Sequence, residues 1–204
     1  MRAPSIAKTV LVLLLLSAGL PAVSDDTGWT CRFGLLHNSP TGDLKVGSET
    51  TEADGSTGVF ASVEFRVTER FGIEPGIGYA DHDIESGNPT INVGETSWMA
   101  LTLNGNFHLL PEKKFDLYVG PTVGYVFWGE LDSGFFNASY PTDDEPALGV
   151  NVGIDVPIGD SPWSFAGAIR YLATDLTVGS GAGIGGAEIG VDPFQLKAGL
   201  ARKF

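Results

Sequence analysis

The stretch Val191–Phe204, reading VDPFQLKAGLARKF, decides the fold. Phe194, Leu196, Ala198 and Leu200 alternate with Gln195, Lys197, Gly199 and Ala201, and Phe204 falls on the apolar parity. Successive side chains of a strand point to opposite faces, so this is a strand with one bulky apolar face and one polar, slim face. It is longer than the usual five or six residues. A strand of this length at a chain end stays ordered when it has a partner to close against. The pattern therefore predicts a sheet closed into a barrel, with this strand paired to the first.

Upstream, seven more segments alternate in the same way: Gly28–Leu36, Gly58–Thr68, Phe71–Ala80, Thr96–Leu109, Phe115–Trp128, Ala147–Ile158 and Trp163–Thr174. Long polar connections (His37–Thr57, Asp81–Glu95, Gly129–Pro146, Asp175–Gly190) alternate with short turns at Glu69-Arg70, Pro111–Lys114 and Gly159–Pro162. Long loops at one end and tight turns at the other are the plan of an outer-membrane barrel, and an even strand count puts both ends on the periplasmic side. The expected fold class is all-β, an eight-stranded antiparallel transmembrane β-barrel.

A soluble β-sandwich alternates too, so the faces must be told apart. Here one face is bulky and carries no charge until Arg202, whereas the other is rich in Gly, Ala, Ser and Thr. Glycine weakens a strand and has no use on a solvated surface. It suits the interior of an eight-stranded barrel, which is only just wide enough for side chains to fill. The bulky face is therefore expected in lipid and the slim face inside. The inward set then holds Arg32, Arg66, Arg170 and Lys197 against Glu64, Glu74, Asp116 and Asp155. Buried charges are paired or wetted, so these eight are the expected lumenal charge network, either plugging the barrel or lining a narrow pore. Phe71, Phe115, Trp163 and Phe204 mark the expected periplasmic rim, and Tyr79, Tyr125, Phe127 and Tyr171 the outer rim. Pro75, Pro121 and Pro157 interrupt strands that have no free edge, and bulges are expected there.

Residues 1–24 read as a secretory signal rather than as part of the fold. Arg2 and Lys8 give a positive start, Val10–Leu16 an apolar run, and Ala22 and Ser24 a small-residue cleavage site. The run falls short of the ~20 apolar residues of a spanning helix. Residues 25–204 form the expected barrel domain. The chain carries 25 acidic and 12 basic residues, and removing Arg2 and Lys8 makes it more acidic still. Such a balance excludes nucleic acid as a partner. The single Cys31 excludes an internal disulfide and a cysteine-cluster metal site, and no cofactor is expected.

Few stretches look like chemistry. GAGIGG at Gly181–Gly186 matches a dinucleotide-type glycine pattern, but no helix pattern follows it to hold a phosphate, so it reads as an outer loop. Asn137-Ala138-Ser139 is a sequon without meaning in a bacterial barrel. Asp143, Asp144, Glu145, Glu49, Glu52 and Asp54 match no defined calcium loop and read as a solvated acidic surface. His37, His82 and His108 fall in separate segments, and His108 has no serine partner on its strand, so no enzyme is expected.

Three stretches together resemble the OmpW-like outer-membrane proteins: NGNFHLLPEKKFDLYVGPTVGYVFW, WSFAGAIRYLATDL and VDPFQLKAGLARKF. The resemblance implies an eight-stranded barrel in the bacterial outer membrane, surrounded by lipid and lipopolysaccharide. It implies passage of small hydrophobic solutes, and a closing strand whose Phe194, Leu196, Leu200 and Phe204 are read by the barrel-assembly machinery. Two features depart from the family. Arg202 stands where an aromatic is usual, and the lumen is charged rather than apolar. Trp98, Trp128 and Leu172 lie inward near the outer mouth and are the expected apolar vestibule or gate. The function expected is a narrow channel or binding barrel for small, hydrophobic solutes. The alternative is a structural or surface-interaction barrel with a plugged lumen, acting through its acidic loops.

Overall fold

The computed structural model describes residues 28–41, 43–46, 49–53, 55–86, 91–110, 114–133, 138–178 and 187–204. Eight long strands make the wall: β1 (Trp29–Ser39), β2 (Ser56–Thr68), β3 (Phe71–Ser86), β4 (Ile91–His108), β5 (Asp116–Trp128), β6 (Glu145–Pro157), β7 (Trp163–Ala173) and β8 (Phe194–Lys203). Each pairs antiparallel with its neighbours in sequence. β8 closes the ring on β1, with Thr30 opposite Lys203 and Ser39 opposite Phe194. Closure leaves no open edge among these strands, so every wall strand has a partner on both sides. The expected leader, residues 1–24, lies outside the described residues, as does the GAGIGG stretch.

The outward face is apolar and exposed along every strand; Leu35, Leu148 and Phe165 each expose more than half of their surface. A continuous apolar belt of this kind needs a hydrocarbon environment. Phe71 and Phe115 stand exposed at the turn end, and Tyr125 and Tyr171 at the other. Arg202, an outward charge near the turn end, lies 5.5 Å from the centre of the Trp163 ring and 4.6 Å from that of Phe204. Two aromatic faces stabilise the guanidinium at the interface.

Two expectations are corrected. First, the prolines make no bulges. Pro75 pairs in register with Leu103, and Pro121 with Val150. Instead, the β2–β3 ladder skips the pairs at Val63 and Glu64, and the β4–β5 ladder skips those at Gly105 and Asn106, with the register unchanged on either side. The missing N–H falls on the skipped side, so one ladder bond is lost and alternation survives. Pro157 ends β6, beyond the last β5 pair at Asp155. The register shifts of the wall lie elsewhere, between Arg66 and Thr68 and between Ile84 and Glu85.

Second, the long connections are not wholly irregular. β3 runs to Ser86 and β4 starts at Ile91, and short hairpins extend the wall, Asp43–Val46 with Glu49–Ala53 and Leu131–Ser133 with Ala138–Tyr140, while Asp175–Val178 pairs with Ala187–Gly190 and Thr142–Asp143 in a separate small sheet. Backbone pairing continues there although the sequence alternation does not. The inward face, as expected of Trp98, also carries wide side chains. Trp98, Tyr118, Phe60, Leu36 and His108 all point inward and are buried. Glycine makes the room: a Cβ on Gly78 would come within 3.1 Å of the Trp98 ring, and one on Gly153 would overlap Tyr118.

Candidate functional site

The barrel interior holds every sequence-predicted site residue of the lumen, sorted into layers along the axis. Nearest the turn end is a layer of ion pairs. Arg32 on β1 is its hub. It donates from Nε and Nη2 to Asp155 of β6, at 3.1 and 2.7 Å, and its Nη2 lies 2.6 Å from Glu64 of β2. Its Nη1 is 3.4 Å from Glu74 of β3, and its guanidinium lies 4.8 Å from the centre of the Tyr118 ring. A second centre forms below it. Arg66 Nη2 donates to Asp116 at 2.6 Å, and His108 places its two ring nitrogens 2.5 Å from Glu64 and 2.8 Å from Asp116. Asn106 donates to Glu74 at 2.5 Å and accepts from Asn151 at 3.3 Å, which ties β3, β4 and β6 across the lumen. Arg32, Glu64, Glu74 and Asp155 are almost fully buried. Each buried charge here therefore has an opposite charge at hydrogen-bond range or close to it, which offsets its desolvation.

Arg170 and Lys197 do not join this layer. Among the described residues, neither has a carboxylate within 4 Å. Arg170 donates instead to the neutral oxygens of Gln195 (2.7 Å) and Thr102 (3.0 Å). Gln195 passes the chain on to Asn38 at 3.0 Å, and Asn38 lies 2.9 Å from His82. Lys197 Nζ lies over the Phe60 ring, 5.2 Å from its centre. The sequence puts all eight charged residues on the inward parity, but parity carries no information about depth.

Above these cations the interior turns apolar. Leu36, Phe60, Trp98, Val126, Trp128 and Leu172 belong to one buried cluster. Trp98 pairs with Trp128 across the β4–β5 ladder. Trp128 Nε1 donates to the Asp175 carbonyl at 3.2 Å, whereas Trp98 Nε1 is buried with no partner among the described residues. Trp98, Trp128 and Leu172, expected together at the outer mouth, are thus brought into contact distance of one cluster. Leu36 and Phe60 join them. They were missed as inward residues because β1 and β2 were read chiefly for charge, though both sit on the same parity as Arg32 and Glu64. His108 was missed as a network member for a similar reason: it lies beside Asp116 only once the turn between β4 and β5 brings them together.

A cavity of about 10 Å³, room for one water-sized group, opens among Arg32, Phe60, Glu74, Tyr118, Asn151 and Lys197. Among the described residues, no group of His, Cys, Asp and Glu is arranged to hold a metal ion. The outward side chains of β8 expected as an assembly signal are placed on the barrel surface: Phe194 and Leu196 are exposed, and Leu200 and Phe204 are half-buried near the turn end.

A family model described as "Outer membrane protein beta-barrel domain" matches residues 9–204. Among solved structures, the chain is similar to the outer membrane protein OprG from Pseudomonas aeruginosa, with a TM-score of 0.74 and 17% identity over 87% of this chain and 96% of that one. It is similar to the outer membrane protein AlkL, solved in lipid bilayers, with a TM-score of 0.66 and 22% identity over 91% and 95% of the two chains. It also resembles the outer membrane protein W of E. coli, with a TM-score of 0.54 and 18% identity over 89% and 100%. No curated protein matches the chain. At these identities it is the fold that is shared.

Proposed function

Because the chain belongs to the outer membrane protein β-barrel family, we propose that this bacterial outer-membrane barrel admits small, predominantly hydrophobic solutes into the outer half of its lumen and holds them there. One observation carries the reading. The lumen is divided into an apolar outer layer around Trp98, Leu36 and Leu172 and an inner layer of ion pairs around Arg32. Beyond the hydrogen-bonded Asn38, Ser56 and His82, a solute from outside meets hydrocarbon and indole surface, which favours apolar groups by about 25 cal/mol per Å² removed from water. It then meets a closed set of charge pairs that no apolar group can replace without stranding a charge. The barrel is thus of the binding kind rather than an open axial pore. In this reading residues 1–24 are removed on export, lipopolysaccharide and lipid surround the apolar belt, and the β8 surface ending in Phe204 is the feature that the barrel-assembly machinery reads.

The second reading, a plugged structural barrel that acts through its outer loops, is favoured by the exposed acids Glu130, Asp132, Asp143 and Asp144 at that end. Tryptophan quenching separates the two. Trp29 and Trp163 lie on the outward parity, so the double variant Trp29→Phe, Trp163→Phe leaves emission from the lumenal Trp98 and Trp128 alone. Titrating this variant, folded in detergent, with a bromoalkanol is expected to give saturable quenching. Quenching that only rises linearly with detergent-phase bromine would favour the structural reading.

A further inference from the structure

We propose that Lys197 and Arg170 form a cationic floor beneath the apolar layer, so that the preferred solute is an amphipathic monocarboxylate: its hydrocarbon tail lies among Trp98, Leu36 and Leu172, and its carboxylate reaches Lys197. This rests on the solute-binding reading above and adds the chemistry of the head group.

The register sets both cations at the boundary between layers. Lys197 pairs directly with Leu36 of the apolar cluster across the β8–β1 ladder. Arg170 lies two residues from Leu172 on the same face of β7, and its Nη1 bonds Thr102, two residues from Ala100 of the same cluster. Both side chains are more than nine-tenths buried. Burying a cation is costly unless an anion accompanies it. The inner layer obeys that rule, since Arg32 and Arg66 each touch a carboxylate at 2.6 Å. Among the described residues, the two upper cations meet neutral oxygens and an aromatic ring rather than a carboxylate. Glu74, the carboxylate that shares the small cavity with Lys197, is already engaged by Asn106 and Arg32.

The missing counter-charge is therefore one that a ligand can bring. A carboxylate head suits Lys197, whose ammonium carries three donors and borders the cavity. Charge-assisted hydrogen bonds of this kind are about twice as strong as neutral ones. A small hydrated anion is a poorer fit, because the route from outside passes the apolar cluster; a carboxylate carried on an alkyl chain has a tail for that cluster and a head for the floor.

The test compares a bromoalkanoate with the bromoalkanol of the same chain length, by quenching of Trp98 and Trp128 in the full barrel lacking the two outward tryptophans, at neutral pH. The carboxylate is expected to bind about tenfold or more tightly than the alcohol, the gain of a single charge-assisted bond. Lys197→Met should bring that ratio down to about one, and Lys197→Arg should restore most of it. Lys197→Gln provides a second neutral variant in case the first does not fold, with folding checked by heat-modifiable mobility on gels. Binding of the alcohol as tight as that of the carboxylate in the parent barrel would overturn the proposal while leaving the solute-binding reading standing. So would a preference that survives both Lys197→Met and Lys197→Gln. Saturable quenching by neither compound would overturn both.

Discussion

Replacing Arg32 with methionine is the sharpest perturbation of the lumen. Arg32 touches Glu64 at 2.6 Å, Asp155 at 2.7 Å and Glu74 at 3.4 Å. In Arg32→Met, Glu64 keeps His108 and Glu74 keeps Asn106. Asp155 loses its only cationic partner among the described residues, and it is buried. Removing one partner of a buried pair costs about 3–5 kcal/mol, because the other charge is left uncompensated. At about 1.4 kcal/mol per factor of ten, the unfolding equilibrium should move by roughly two to four powers of ten. Urea titration of the barrel in phospholipid vesicles, followed by tryptophan emission, measures this. The double variant Arg32→Met, Asp155→Leu should recover a substantial part of the loss, since the stranded carboxylate is gone. Lys197→Met should behave oppositely, with stability unchanged or raised, because it removes a buried cation that has no carboxylate to strand. An Arg32→Met barrel within about 1 kcal/mol of the parent would refute the reasoning, because no buried pair of the usual strength would then exist.

Three further outcomes follow from the same geometry. In planar bilayers the parent barrel is expected to show no steady ion conductance, since ion pairs span the lumen from β1 to β6; discrete, long-lived channel events would contradict the closed inner layer. Val152→Arg, on the outward face of β6, should cost about 2–4 kcal/mol in vesicle unfolding if that face lies near the bilayer midplane, and a neutral result would argue against lipid contact there. Deletion of Phe204 should lower the amount of barrel recovered in the outer membrane, and normal levels would count against a role for β8 in assembly.

Much of the wall was legible in the sequence because period-two alternation reports side-chain direction directly. The eight wall strands, the closure of β8 on β1 and the inward parity of all eight lumenal charges follow from that one regularity. Depth is a different quantity. A barrel staggers its strands, so whether two inward residues share a level depends on the register summed around the ring. Arg32 and Asp155 meet although 123 residues separate them, while Lys197, on the strand beside Arg32, meets no carboxylate among the described residues. That is why the eight charges, equal in sign count, sort into a paired layer and two cations with no carboxylate beside them among the described residues. The prolines were misread for a related reason. A missing N–H can be absorbed by skipping two pairs of a ladder without shifting the register, and composition alone does not distinguish this from a bulge. What parity does not show is which glycine faces which ring; the register sets Gly78 against Trp98 and Gly153 against Tyr118.

The most direct measurement is a crystal structure of the barrel grown in detergent and soaked with a bromoalkanol, with bromine located by its anomalous signal. The expected result is a bromine peak inside the barrel, against Trp98, Leu36 and Leu172. Bromine found only on the outward faces of the strands, with the apolar cluster undisturbed, would contradict the account.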